Sequence, residues 1–210
     1  MVRTDDLPVA LLAFLAFVVM SPIWVRYAQA FTAARREDSS LSALLLPAAP
    51  ERVEILSLPD DSRDGERIAQ VVDIPWPAGD GLLRLANIHL THLPDGEALR
   101  ARQMAELLDH LDSLSPVRAT VVAGDLNAGP GAGCLAALAA RATPLTRART
   151  VAEGRAALDH LALLDPAATG PALSPPVVAL DEPETVAEAA VLPSDHYAVA
   201  AVLSPTRRGA

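Results

Sequence analysis

Residues 117–123 (VRATVVA) form a short β-branched run set between Pro116 and Gly124, and the run leads straight into Asp125 and Asn127. Proline before and glycine after bound it to strand length, and its β-branched character calls for a buried strand. Side chains alternate along a strand, so Asp125 and Asn127 leave its end on the same side. Ligands bind beyond the carboxyl ends of strands in α/β folds, where the backbone opens. A carboxylate there can hold a water or a hard cation, and an amide can donate to a phosphoryl oxygen. A Gly-Asp-x-Asn alone is also an ordinary turn, so its meaning depends on what accompanies it.

The surrounding pattern is that of a globular α/β domain from residue 51 onward. Residues 53–58 (VEILSL) alternate as a strand, and the segment PDDSRDGE after them is rich in turn formers. Residues 68–74 and 82–90 are the next two strands, joined by the hairpin-like PWPAGDG. Residues 97–114 are the clearest helix: Leu99, Met104, Leu107, Leu108 and Leu111 recur at three- and four-residue steps, with Glu97 near the start. Residues 134–141 read as helical. Residues 157–164 and 197–203 are the last strands, flanking a proline-rich loop over 166–193. There is no internal repeat.

At 210 residues, 51% hydrophobic and 20% charged, the chain suits one domain with a core. Only 3% is aromatic, so that core is built from Ala, Leu and Val. All 17 basic residues are arginine, which reflects coding bias rather than function. The formal net charge is −9, and there is no basic stripe, only short pairs such as Arg35–Arg36 and Arg207–Arg208. No strong nucleic-acid-binding surface is evident, because gripping duplex nucleic acid through many phosphates requires a basic face. A small or transiently bound phosphodiester remains compatible. Cys134 is the single cysteine, which excludes an intrachain disulfide and reads as a small buried apolar residue.

The first thirty residues differ. Pro8 to Val25 is an uncharged apolar run of about bilayer length. Ala28-Gln29-Ala30 resembles a cleavage site, yet the leading MVRTDDL carries no net positive charge and Pro22 interrupts the run. Three readings stand side by side: a membrane anchor or uncleaved signal, a cleaved signal, and a start foreign to the domain. The first two imply membrane association or export, the third a cytoplasmic protein. Residues 31–50 are a linker, 51–204 the domain, and 205–210 a tail.

Three further segments carry chemistry. In Ser194-Asp195-His196-Tyr197 an acid and an imidazole adjoin where a loop enters a strand; the acid can ligate a cation, and a neutral imidazole can take a proton near pH 7. Asp159 sits inside an apolar strand, where a carboxylate needs a partner, most economically a histidine that it holds in one tautomer. His89 ends the strand LANIHL, a position where a lone histidine is usually structural. Ser194 lacks a Gly-x-Ser-x-Gly setting, which argues against a serine hydrolase.

In this order NIHL, GDLN, LDHL and SDHY, with Arg102-Gln103 on a helix between the first two, resemble the later motifs of the endonuclease/exonuclease/phosphatase superfamily. The resemblance covers about residues 51–204. It implies a four-layer α/β sandwich, two β-sheets flanked by helices, with the site at one end. It also implies roles. Asp125 positions or activates the attacking water and shares in metal binding, and Asn127 orients the phosphate. Asp195 binds Mg²⁺, with Mn²⁺ an alternative. Asp159 orients His196, and His89 binds a phosphoryl oxygen of a phosphate-ester substrate.

The family pattern begins with a strand ending in asparagine and a second ending in a metal-binding glutamate. The only asparagines here are Asn87 and Asn127. Glu37, Glu51, Glu54 and Glu66, the glutamates before the Asn87 strand, lack the required setting. The expectation is therefore an incomplete sandwich with its first strands missing or replaced, through truncation or frame disruption, as a degenerate paralogue, or as one part of a complex. Function is expected to be Mg²⁺-dependent hydrolysis of a phosphodiester or phosphomonoester; the alternative is an inactive remnant or binding module of the same fold. Oligomeric state is not legible.

Overall fold

The computed structural model describes residues 44, 46, 49–77, 79–143, 145–151, 157–167, 170–179, 184–186, 189–191 and 196–205. Pro8 to Val25 lies outside them. Among the described residues no helix is long and apolar enough to cross a membrane.

A six-stranded sheet organises the chain. Strands β1 (Arg52–Asp61), β2 (Gly65–Pro75) and β3 (Leu82–His89) run antiparallel in sequence order. Helix α1 (Glu97–Ser113) then carries the chain back, so that β4 (Ala119–Asp125) pairs parallel to β3. A parallel pair needs such a crossover. Helix α2 (Ala136–Arg141) and β5 (Ala142–Thr143) precede β6 (Asp159–Leu164), giving the order β1-β2-β3-β4-β6-β5.

Each central strand alternates between two cores. Ala69 and Val71, Ala86 and Ile88, Val122, and Ala162 and Leu164 face the helices, where Met104, Leu107, Leu108 and Leu111 of α1 cover them. The intervening Val72 and Ile74, Leu83 and Leu85, Val121 and Ala123, and Leu161 and Leu163 face Val199, Ala201 and Leu203. Burial on both faces explains why these strands read as nearly continuous apolar runs. The helical spacing read from sequence is the stripe that closes the first core, and α1 ends at Ser113 with Leu114 as its cap. Gln103, fully buried on α1, accepts from the Thr91 amide at 2.9 Å and donates to the Pro59 carbonyl at 2.7 Å. It ties the helix to the end of β1 and to the loop that follows β3.

The α/β sandwich expected from sequence is therefore present, with helices on one face and strands on the other. Its second strand layer differs in detail from expectation. The segment expected as one strand over 197–203 is two, β11 (Ala198–Ala200) and β12 (Leu203–Ser204). Their partners β8 (Val177–Ala179) and β7 (Ala172–Leu173) lie within the stretch expected to be loop, as do β9 (Glu184–Val186) and β10 (Ala189–Val191), which pair with each other. Runs of two or three residues are too short to show an alternation. The turn after residue 58 is likewise shorter than expected, because β1 continues to Asp61 past a bulge.

Gly124 makes one close approach possible. Its φ is +146°, and a Cβ there would lie 1.8 Å from the Ile88 carbonyl oxygen. Only glycine lets β3 and β4 stay paired up to Asp125. Gly124→Ala is expected to destabilise the fold by about 1–3 kcal/mol or more through backbone strain, read as a lower urea midpoint; an unchanged midpoint would show that this approach is not needed.

Candidate active site

Strand register assembles the site. His89 is the cross-strand partner of Asp125, and Asp125 is the partner of Asp159. All three share the parity of the residues facing the second layer, so they form a row across the sheet end on one face. His89 Nε2 lies 3.6 Å from Asp125 Oδ2. Immediately behind the row, Asn87 Nδ2 donates to its cross-strand partner Gln70 at 3.0 Å, both side chains buried.

His196 joins the row from the opposite layer. Its Nδ1 donates to Asp159 Oδ2 at 2.8 Å. Thr150 sets this meeting: its carbonyl accepts from the Tyr197 amide at 2.7 Å, and its hydroxyl accepts from the amides of Leu158 and Asp159. An isolated antiparallel bridge between Val151 and His196 completes the clamp. The sequence-expected pairing of Asp159 with His196 is thus present as a contact.

Asn127 sits in left-handed backbone, φ +46°, which an asparagine tolerates. Its backbone N–H donates to Asp125 Oδ1 at 2.8 Å, and its side-chain amide donates to the Leu90 carbonyl at 3.0 Å. One of its two amide hydrogens is therefore committed to stapling β4 to the chain leaving β3. Asp195 and Ser194 lie outside the described residues. His160, next to Asp159, points to the other face, where its Nε2 donates to the Ala128 carbonyl.

Burial governs the charges. Asp125 and Asp159 are each only 3% exposed. Desolvation first, then the adjacent Asp159, pushes the Asp125 carboxyl up to about 7, against the pull of the Asn127 N–H and His196. Desolvation, then the Arg67 guanidinium, pushes His89 down to about 3, so its imidazole is neutral at physiological pH.

The sequence matches no family model and no curated protein. Solved structures do share the architecture. D. rerio TDP2 complexed with single strand DNA product aligns with a TM-score of 0.69 at 15% identity, covering 88% of this chain and 83% of that one. The endonuclease/exonuclease/phosphatase from Bacteroides vulgatus aligns at 0.55 with 18% identity, covering 75% and 66%. The fold is that of the endonuclease/exonuclease/phosphatase superfamily. The human Nocturnin catalytic domain with bound sulfate anion shares it too, at 0.58 and 16% identity over 75% and 60%.

Within this superfamily fold, Asp125, Asp159 and His196 bring one ligand atom each to within 4.8 Å of one another. Two carboxylates and one imidazole are a donor set suited to a divalent cation. Burial first, then the neighbouring Asp159, disfavours negative charge on Asp125, and such an ion would offset that cost. The residues present fit a metal; Asp195, the other ligand that the motifs suggested beside Asp125, lies outside the described residues.

Sequence reading passed over Asp64, Arg67 and His92. Arg67 and Asp64 form a buried ion pair, and His92 Nδ1 lies 2.5 Å from Asp64 Oδ1. An arginine near the start of a largely buried strand, three residues after an aspartate, was the available signal, since a buried guanidinium needs a carboxylate.

Asp125 also makes a pH prediction. Its folded pKa of about 7 exceeds the ordinary 3.8, so the stability it contributes is fully present below about 3.8 and is lost as pH rises through about 7. Asp125→Asn should therefore melt higher than the parent at pH 8 without added cation, with the gap closing toward pH 4. Parallel melting curves across that range would contradict it.

Proposed function

We propose that the chain is a divalent-metal-dependent phosphoesterase that hydrolyses a phosphodiester or phosphomonoester. The observation that carries this reading is the row His89–Asp125–Asp159 with His196 bonded to Asp159, at the end of a superfamily sheet. In this reading, the Asp125 carboxylate positions the attacking water and accepts its proton. The Asn127 amide holds that carboxylate in place. Neutral His89 offers a ring N–H to a phosphoryl oxygen without first binding the carboxylate as an ion. His196, oriented through Nδ1 by Asp159, presents Nε2 to charge developing on phosphorus or on the leaving group. Mg²⁺ or Mn²⁺ held by the carboxylates of Asp125 and Asp159, or of Asp125 and Asp195, would neutralise charge on the phosphate oxygens.

The substrate class stays broad: a nucleic acid, a lipid headgroup or a small phosphorylated molecule. Among the neighbours, the D. rerio TDP2 structure holds a single-stranded DNA product. For this chain, a net charge of −9 favours single-stranded or small substrates over duplex DNA.

The test is hydrolysis of bis(p-nitrophenyl) phosphate by the full chain with Mn²⁺ or Mg²⁺. Asp159→Asn and His196→Ala should each lower kcat by about 10²–10⁴-fold, the usual contribution of a positioned acid–base group. Chelator should abolish turnover. Folded protein without turnover would leave the alternative, an inactive member of the fold.

A further inference from the structure

A second polar cluster borders the row. His92 lies in the loop between β3 and α1, and its neighbours in that loop are tied down. The Leu90 N–H donates to the Asp125 carbonyl, and the Leu90 carbonyl accepts from Asn127, each at 3.0 Å. Thr91 is bonded to Gln103, and Arg100 donates to the carbonyls of Thr91 and Leu93 at 3.1 and 3.0 Å. The loop is thereby fixed to the strand end that carries Asp125.

The His92 ring itself is 61% exposed, unlike anything that holds it. Its Nδ1 lies 2.5 Å from Asp64 Oδ1 and 2.9 Å from Arg67 Nη2. The Asp64 side chain is fully buried and that of Arg67 is 4% exposed. A buried ion pair is weak support for stability, because desolvation offsets its attraction. Here the pair does something more specific: it pins a solvent-facing imidazole that would otherwise sample several rotamers. His92 follows His89 by three residues, and Leu90 between them is bonded to Asp125 and Asn127, which sets the cluster beside the row.

We propose that His92 is a phosphoryl-contacting residue on the β2–α1 side of this site, with Nε2 as the donor and Asp64 and Arg67 as the residues that position it. The proposal deepens the phosphoesterase reading and rests on it. Of the proton arrangements that satisfy the Nδ1 geometry, two place a hydrogen on Nε2, and the neutral Nδ1–H tautomer does not. When Nδ1 accepts from Arg67, the neutral ring carries its hydrogen on Nε2. When Nδ1–H donates to Asp64, the imidazolium form carries a second hydrogen on Nε2. These two leave an Nε2–H that can meet an anion, and the contacts at Nδ1 hold the ring in place, whereas a free surface histidine would have no fixed direction. The occupant is an oxygen of the phosphate group undergoing hydrolysis or of one adjoining it in an extended phosphodiester.

The experiment is histidine side-chain ¹⁵N NMR of the full chain titrated with inorganic phosphate, in the parent, His92→Gln and Asp64→Asn. The His92 Nε2 resonance should shift saturably. His92→Gln should weaken phosphate binding about tenfold, the usual loss for one hydrogen bond to a charged group. Asp64→Asn should move the Nδ1 resonance before any phosphate is added and blunt the Nε2 response. If His89 and His196 respond while His92 stays silent, the proposal is overturned and the phosphoesterase reading stands. If no histidine responds and no phosphodiester is hydrolysed, both fall. A His92 response that is identical in Asp64→Asn would overturn the positioning by Asp64.

Discussion

Two carboxylates facing each other across paired strands set the terms for the rest of this structure. Asp125 and Asp159 are register partners at the same sheet end, and both are almost wholly buried. Like charges so placed are unfavourable unless something compensates. The protein compensates with an imidazole on Asp159, a backbone N–H on Asp125 and a guanidinium in the neighbourhood. These are not enough to return Asp125 to an ordinary carboxylate pKa. The residual imbalance is what makes the site chemically useful, since it favours a bound cation.

The remainder of the fold can be understood as the scaffold that keeps this arrangement. The parallel β3–β4 pair aligns His89 with Asp125, and that pairing reaches the strand end because Gly124 admits the Ile88 carbonyl. Helix α1 covers the opposite face and, through Gln103, anchors the loop that follows His89. Thr150 joins the two strand layers at the point where His196 meets Asp159. Each device acts on backbone as well as side chain, and so fixes position more firmly than packing alone.

The sheet and its chemistry were legible in the sequence to different degrees. Strands buried on both faces announced themselves as apolar runs, and α1 showed its stripe of Leu and Met at helical spacing. Asp159 stood out because an acid is foreign to such a strand, and Asp125 because it follows one in a Gly-Asp-x-Asn. The two-stranded pairs of the second layer were not legible, because two- and three-residue strands separated by prolines carry no periodic signal. Thr150 and the cluster of Asp64, Arg67 and His92 were missed for another reason: their importance lies in contacts between segments far apart in sequence, and each looks like an ordinary loop or strand-edge residue. The asparagine motif was visible, but its commitment to the Leu90 carbonyl follows only from the left-handed turn at Asn127.

The central claim, that charge imbalance at Asp125 and Asp159 creates a cation site, is tested most directly by calorimetric titration of the full chain with Mn²⁺ at several pH values. The account predicts binding near one-to-one stoichiometry, with proton release below pH 7 and affinity that rises as pH passes through about 7, where Asp125 ionises. Asp125→Asn should remove the proton release and most of the affinity. Binding that is independent of pH and indifferent to Asp125→Asn, or the absence of binding to folded protein, would contradict it.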